Sequence, residues 1–590
     1  MPLVKIPLLP GVFKDDTPLS AEGRWVDADK VRFVMGMPQT IGGYESVTTD
    51  TIAGICRGIH TWADAGGVRQ IGLGTHSHLY AYQGGTLADI TPNGSAGTLG
   101  ADPFAVTAGS ATVTVTHTVH GRARGDRVFF AGAAEGGGIT VAGEYAVASV
   151  VDADSYTITH SSAATSTDGT TGGASVAYQY RIPNGLVDGL GGAGYGTGGY
   201  GGGTYGAAST GDVFPRTWSL DNWGEHLVAC HRGGPIFEWR LSTAARAERI
   251  AEAPARCAAI FVTPERQLVA VGCTNLDGVF DPMCVRASDI EDNTAWTPSA
   301  ATAAVQRVLA GGSRLVRGLA ARGINLIWSD THLFAMRYVG DPPLVFSFAT
   351  LGDNCGLIGP NAATLAAGGA FWLAPNGQFF TWQGGAPQAI PCTLRRDVVD
   401  NIAAAQGDKV FAASITAFGE VWWFYPDARD GAEVSRYVAH NYLEGHWTCG
   451  TFDRTAFTDA RAFEHPIGVS SKGTLYFHER GFSADGGAFS WRLDGAPMDI
   501  GDGDRLAHVG ALVPDTEDQQ GAFAITLSGR LYPPGAARTA GPFTVHPGTT
   551  KIDTRVTARQ IALGLSGSVA PCFMRLGALR ADVRETGQRR

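Results

Sequence analysis

The stretch 371–385, "FWLAPNGQFFTWQGG", runs from an apolar strand through a tight turn into a strand of alternating aromatics. Pro375, Asn376 and Gly377 supply the turn chemistry. Proline fixes one backbone torsion, asparagine tolerates the left-handed region and glycine adopts it freely. The segment therefore predicts a β-hairpin, and the same pattern returns along the chain. It appears as "IGLGTHSHLYAYQGG" from Ile71, "LVACHRGGPIFEWR" from Leu227, "LIWSDTHLFAMRYVGD" from Leu326 and "IGVSSKGTLYFHERG" from Ile467. Weaker copies lie at "LVAVGCTNLDGVFDPMCVRAS" (Leu268) and "VWWFYPDARDGAEVSRYVAH" (Val421). From Phe237 onward the copies recur roughly every 45–50 residues, the spacing of propeller blades, and about seven hairpins can be counted. Each is expected to form the centre of a four-stranded blade that stacks its apolar face on the next.

The composition agrees. Of 590 residues, 81 are Gly, 44% are hydrophobic and only 17% are charged. Such a balance favours strands and turns over helices. The best helical candidate is "TLRRDVVDNIAAA" from Thr393, with Leu394, Val398, Val399 and Ile402 at helical spacing.

A second unit interrupts the rhythm. "SATVTVTHTVHG" alternates Val113, Val115 and Val119 with Thr112, Thr114, Thr116 and Thr118 as a strand with one apolar face, and "DRVFFAG", "GEYAVASVV" and "DSYTITH" follow at short intervals. These predict an Ig-like β-sandwich over 101–182, inserted at a loop. The expected organisation is an N-terminal propeller segment over 1–100, the inserted sandwich, a Gly/Tyr-rich linker over 183–212, the main propeller over 213–505, and a C-terminal β region over 506–590. That last region either completes the propeller or stands as its own β-domain. The fold class is all-β: a β-propeller of about six to seven blades with an inserted sandwich.

The linker contains Gly194-Tyr-Gly196-Thr-Gly-Gly199, formally G-x-G-x-x-G. A dinucleotide site needs this motif between a buried strand and a helix, and no helical stripe follows here. Tyr195, Tyr200 and Tyr205 recur every five residues, which fits no helix face. They read as aromatics that dock on a neighbour and are candidates for inter-subunit contacts.

No nucleophile, zinc or Walker motif is present. Asp330, Glu420 and Asp485 are the carboxylates a glycosidase reading would use, but nothing in the sequence pairs them. "SADGGAFSW" from Ser483 is one residue longer than a sialidase Asp-box and predicts a turn. His76 and His78 fall at i, i+2 on one face of a strand, without a third ligand. "DIEDN" (Asp289) and "DTEDQQ" (Asp515) fit turns. No catalytic, cofactor-binding or metal-binding residue is assigned, and no enzyme activity is expected.

Nine cysteines are scattered without a C-x-x-C pair, which fits packed, reduced thiols. The opening residues lack a signal-peptide pattern, and no apolar run approaches the roughly 18 residues of a membrane helix. Both point to a chain made in a cytoplasm. The net charge of −10 opposes nucleic-acid binding by phosphate neutralisation.

Three stretches together resemble a known family. The opening "IPLLPGVFKDDTPLSAEGRWVDADKVRFVMGMPQTIGGY", the segment "SDIEDNTAWTPS" from Ser288 with Trp296, and the run "GYGTGGYGGGTYG" are similar to tail nozzle proteins of short-tailed bacteriophages, also called tail tubular protein B. The resemblance covers about a third of the chain. It implies a structural virion protein of the tail that forms a homohexamer below the adaptor ring. The ring would extend the channel for DNA ejection, passing genomic DNA without sequence-specific binding, and would carry tail fibre or tip proteins. It implies no cofactor and no membrane insertion, and the inserted sandwich departs from the simplest members. Another tail hub or receptor-binding protein, and a propeller glycosidase, are the competing readings.

Overall fold

The computed structural model describes residues 3–587 except 18–19, 191–212, 342–343, 500–504 and 533–534. Among these residues the chain is all-β, with one short α-helix, Arg395–Val399. The expected longer helix stops there because Ile402 bridges to Asp427, which draws the chain back toward a sheet.

Seven four-stranded antiparallel sheets dominate, an arrangement of propeller type. Six are built from consecutive strands, starting at Cys56–Ala63, Trp218–Trp223, Cys257–Val262, Leu315–Ala321, Ala363–Ala366 and Phe411–Ile415. The seventh takes three strands from Ala456–Thr458 to Thr474–His478, and its fourth, Tyr44–Thr51, from the other end of the chain. The first strand of sheet seven packs against the first strand of sheet one, so the set closes on itself. The hairpin read from 371–385 is found as predicted, with Gly369–Leu373 paired to Phe379–Trp382. Gly377 sits at φ +73°, and Asn376 accepts the amide of Gln378 at 3.0 Å.

Glycines set the distance between neighbouring sheets. The Trp218 indole of sheet two lies flat on sheet one, where a Cβ on Gly74 would stand 2.2 Å from its Cγ. Its Nε1 donates to the Thr75 carbonyl at 2.7 Å. Phe261 fills the same kind of slot over Gly318, 2.2 Å from a would-be Cβ.

Three boundaries differ from the expectation. Residues 1–100 were expected in a blade, but strands Leu3–Lys5 through Met37–Thr40 pair with strands of the C-terminal region instead. Together they make a separate three-sheet body, which also takes in Trp491–Gly495 from the expected main propeller. Only 56–89 form sheet one. These partners lie more than 450 residues apart, and pairing at that range leaves no local pattern to read. The acidic run at Asp515 lies in this body as a strand, Thr516–Gln520, and not as a turn. The insert begins earlier than expected, at Asn93–Leu99, which pairs with its last strand, Val176–Arg181. Its eight strands form one sheet that changes partners midway along Gly143–Val150 and encloses its own core of Phe104, Val128, Phe130, Tyr156 and Ile158.

The terminal body is fastened to sheet six. Thr448 donates to the Val31 carbonyl at 2.6 Å, and Asp29 accepts the Thr451 amide at 2.7 Å. Behind this seam Arg32 is fully buried. Its guanidinium binds Glu479 at 2.7 and 2.9 Å, lies 3.2 Å from Glu420 and stacks 3.7 Å over Phe418.

Candidate functional site: the central channel

The first strands of the seven sheets surround a cavity of about 290 Å³, and every sheet contributes to its lining. Successive inner strands converge on one axis, so residues far apart in sequence face each other.

Where the inner strands begin, the charges are paired. Arg57 holds Glu433 with two bonds of 3.0 and 2.6 Å, and it also donates to the Val187 carbonyl. Lys409 is buried against Asp188 and the Ala432 carbonyl, and burial holds its ammonium below the usual lysine range. Asp408 accepts from Arg232 at 2.8 Å. Such buried pairs hold a geometry more than they add stability.

Farther along the strands the pairing thins. Asp221 accepts the amides of Asn222 and Val262, both at 2.9 Å, and so links sheet two to sheet three. Asp459 accepts from Ser414 Oγ at 3.1 Å, from the Thr416 amide at 3.0 Å and from the Ala460 amide at 2.8 Å. His60 bonds Asn222 at 3.0 Å, with Asp221 3.9 Å away, and burial keeps its imidazole below its usual pKa. The charges of Arg461 and Arg317 push it the same way. Arg317 donates one bond, to Asn361 at 3.1 Å, while Asn361 donates to the Arg57 carbonyl. Enclosure by protein pulls the Arg317 pKa down to about 10. Arg461 is exposed at the far mouth of the cavity.

The arrangement can hold water and small polar groups. Ser414 is bonded to Asp459 and His60 to Asn222, so no serine–histidine pair forms in the channel. Among the described residues no cluster of three or more His, Cys, Asp or Glu is placed to hold a metal.

The carboxylates singled out in the sequence have separate partners. Asp330 is held by the Ser313 amide and hydroxyl in a turn, and those bonds keep its carboxyl below the usual range despite partial burial. Glu420 is buried between Trp422 Nε1 and Arg32, and burial raises its pKa. Asp485 accepts the Ser46 amide in an exposed turn, which is the turn role expected of "SADGGAFSW". His76 and His78 lie in the turn between two strands of sheet one and not on a strand face. His76 accepts the Ile55 amide, and His78 bonds Ser77 and stacks on Tyr80. Tyr195, Tyr200, Tyr205 and the G-x-G-x-x-G stretch lie outside the described residues.

The channel residues Arg57, Arg317, Lys409, Asp459 and Arg461 escaped the sequence reading. Each falls on or beside an inner strand, upstream or downstream of the hairpins that carry the repeat. Only alignment of the seven sheets in blade phase would bring them together.

No family model and no curated protein matches the chain. Among solved structures it is similar to the computationally designed Ika8 protein at 11% identity, covering 74% of this chain and 100% of that one, with a TM-score of 0.33. It is similar to BamB from Moraxella catarrhalis at 11% identity over 45% of this chain and 83% of that one, with a TM-score of 0.25. The phage phi92 endosialidase matches at 12% identity over 80% of this chain and 69% of that one, with a TM-score of 0.17. At such scores the likeness carries no argument, and the fold rests on the strand pairing described above.

Proposed function

We propose that the chain is a structural subunit of a short-tailed bacteriophage tail, a nozzle protein that assembles as a hexameric ring below the adaptor and extends the DNA-ejection channel. In this reading the seven sheets are the blades of one seven-bladed propeller, and the insert is an Ig-like sandwich on its rim. The supporting observation is the role of residues 6–44. This segment carries the resemblance to nozzle proteins, and it also joins the terminal body to sheet six and leads directly into the strand that completes sheet seven. That the longest of the three resembling stretches is the segment holding the molecule together fits a shared architecture better than a shared surface loop.

Size and charge constrain the route of the DNA. A cavity of about 290 Å³ is on the scale of a small-molecule pocket. A duplex, whose major groove alone is about 12 Å wide, cannot enter it. The DNA path therefore runs through a ring of copies, built by head-to-tail contacts that close. A net charge of −10 suits a lumen that passes DNA without gripping it. In the same reading Tyr195, Tyr200 and Tyr205 contact neighbouring subunits. The partners are the adaptor ring and fibre or tip proteins, and the location is the virion tail after assembly in the host cytoplasm.

Native mass spectrometry of the chain, alone and with an adaptor-ring protein of a short-tailed phage, tests the reading. A sixfold species, formed spontaneously or on the adaptor, is the expected result. A monomer that ignores the adaptor would overturn it. Replacement of the three tyrosines with Ser is expected to weaken ring formation, and an unchanged ring removes them from the interface.

A further inference from the structure

The cations that line the channel differ in how they are satisfied. Arg57 and Lys409 are each matched by carboxylates, Glu433 and Asp188. Among the described residues, neither Arg317 nor Arg461 forms an ion pair with a carboxylate. Arg317 spends one donor on the neutral Asn361 and feels Asp221 only at longer range, and Arg461 makes no hydrogen bond to a described residue. The nearby carboxylates are already engaged, Asp221 by two main-chain amides and Asp459 by two amides and a hydroxyl. His60 faces the same space, its imidazole held below its usual pKa by burial, with the two guanidinium charges acting the same way. Two forked donors therefore stand with vacant N–H groups in a partly desolvated cavity. Guanidinium in that state finds its best complement in an oxyanion, which accepts two parallel bonds. The lining around them mixes polar groups with small side chains, including Ala320, Ala363, Ala412 and Ala413, and a volume of about 290 Å³ suits a compact group.

We infer that the channel holds a binding site for one small oxyanion, a phosphate or carboxylate group, bound by Arg317 and Arg461 beside His60. This site does not depend on the proposed tail function. It would operate equally in a monomer.

Isothermal titration of the full-length protein with inorganic phosphate, and separately with malonate, at constant ionic strength set by chloride, tests the site. Saturable binding with one equivalent of either probe is expected. Phosphate alone would mark a tetrahedral preference, and both would mark a general oxyanion site. Arg317→Gln and Arg461→Gln should each weaken binding about tenfold or more, the effect of losing charge-assisted hydrogen bonds. Arg480→Gln removes an exposed arginine paired with Glu45 outside the channel and should leave binding unchanged. Should Arg317→Gln fail to fold, Arg461→Gln carries the test, because its side chain is exposed and unpaired. No saturable heat with either probe, or unaltered binding in Arg461→Gln, overturns the inference.

Discussion

At the scale of single residues, stability depends on how buried charge is compensated. Arg32 sits at the seam of the terminal body and sheet six with Glu420 and Glu479 as its counter-charges. Arg32→Met leaves two carboxylates in a site where one is already desolvated, and removing one side of a buried pair costs about 3–5 kcal/mol. Adding Glu420→Gln and Glu479→Gln should recover most of that loss. Urea denaturation of the single and triple variants measures both effects, and a single variant within about 1 kcal/mol of wild type would show the pair to be dispensable. Buried histidines give a second prediction. Burial lowers His78 to about 4, His231 to about 3 and His440 to about 4, and holds His478 well below its usual value, with nearby Arg127, Arg216, His446 and Arg454 adding to the effect in turn. The folded state keeps these rings neutral while the unfolded chain protonates them near 6.5. Their contribution is therefore complete above about pH 6.5 and is lost as pH falls toward 4, by up to about 1.4 kcal/mol per pH unit for each ring. Denaturation midpoints at pH 7 and pH 5 should differ accordingly. Equal midpoints would mean that the rings are accessible to protons in the folded state.

Elements here are defined by what fits between them. Trp218 reaches sheet one because Gly58 and Gly74 have no side chains, and a Cβ at either would stand within 2.7 Å of the tryptophan. Gly74→Ala forces the indole off its seat and breaks its bond to Thr75, so a loss of about 1–3 kcal/mol is expected from overpacking. Gly84→Ala is a poor control because of its positive φ, whereas Gly100→Ala meets no atom within 4 Å and has no such strain, and should be nearly neutral. Thermal midpoints of the two variants decide the matter, and equal values would mean that the inter-sheet slot adapts. The same elements show how far a sequence can be read. Hairpins such as 371–385 were legible because turn residues and alternation are local signals. The strand Tyr44–Thr51 was not, since it pairs with Thr474–His478 across the length of the chain. The channel side chains were equally hidden. Arg317 is one residue in a strand, and only the closure of seven sheets gives it Arg461 and His60 as neighbours.

For the whole molecule, the cores set the insert apart from the rest. The insert's core is its own, while one continuous core joins the terminal body to sheets four through six. The first and last strands of the insert lie side by side, with Asn93 opposite Arg181, so its two ends leave the propeller at neighbouring points. Few polar ties cross that boundary. Arg246 of sheet two reaches Glu144 of the insert at 3.4 Å, and Asp89 at the same distance remains to hold Arg246 when Glu144 is gone. Replacing residues 93–181 with a short Gly/Ser linker should therefore leave the remaining sheets folded, with a thermal midpoint close to that of the full chain. The excised segment, at about ninety residues, is large enough to bury a core of its own and should unfold cooperatively by itself. Removing the terminal body should behave differently. Its loss uncovers Trp447 and the rest of the apolar seam with sheet six, and it strips Glu420 and Glu479 of Arg32, so aggregation is expected in place of a clean transition. Circular dichroism melts and size-exclusion chromatography of the two truncated chains separate these outcomes. If the chain without its insert aggregates as well, the insert is part of the scaffold. If that chain stays folded and forms the proposed ring, the insert lies outside the ring contacts.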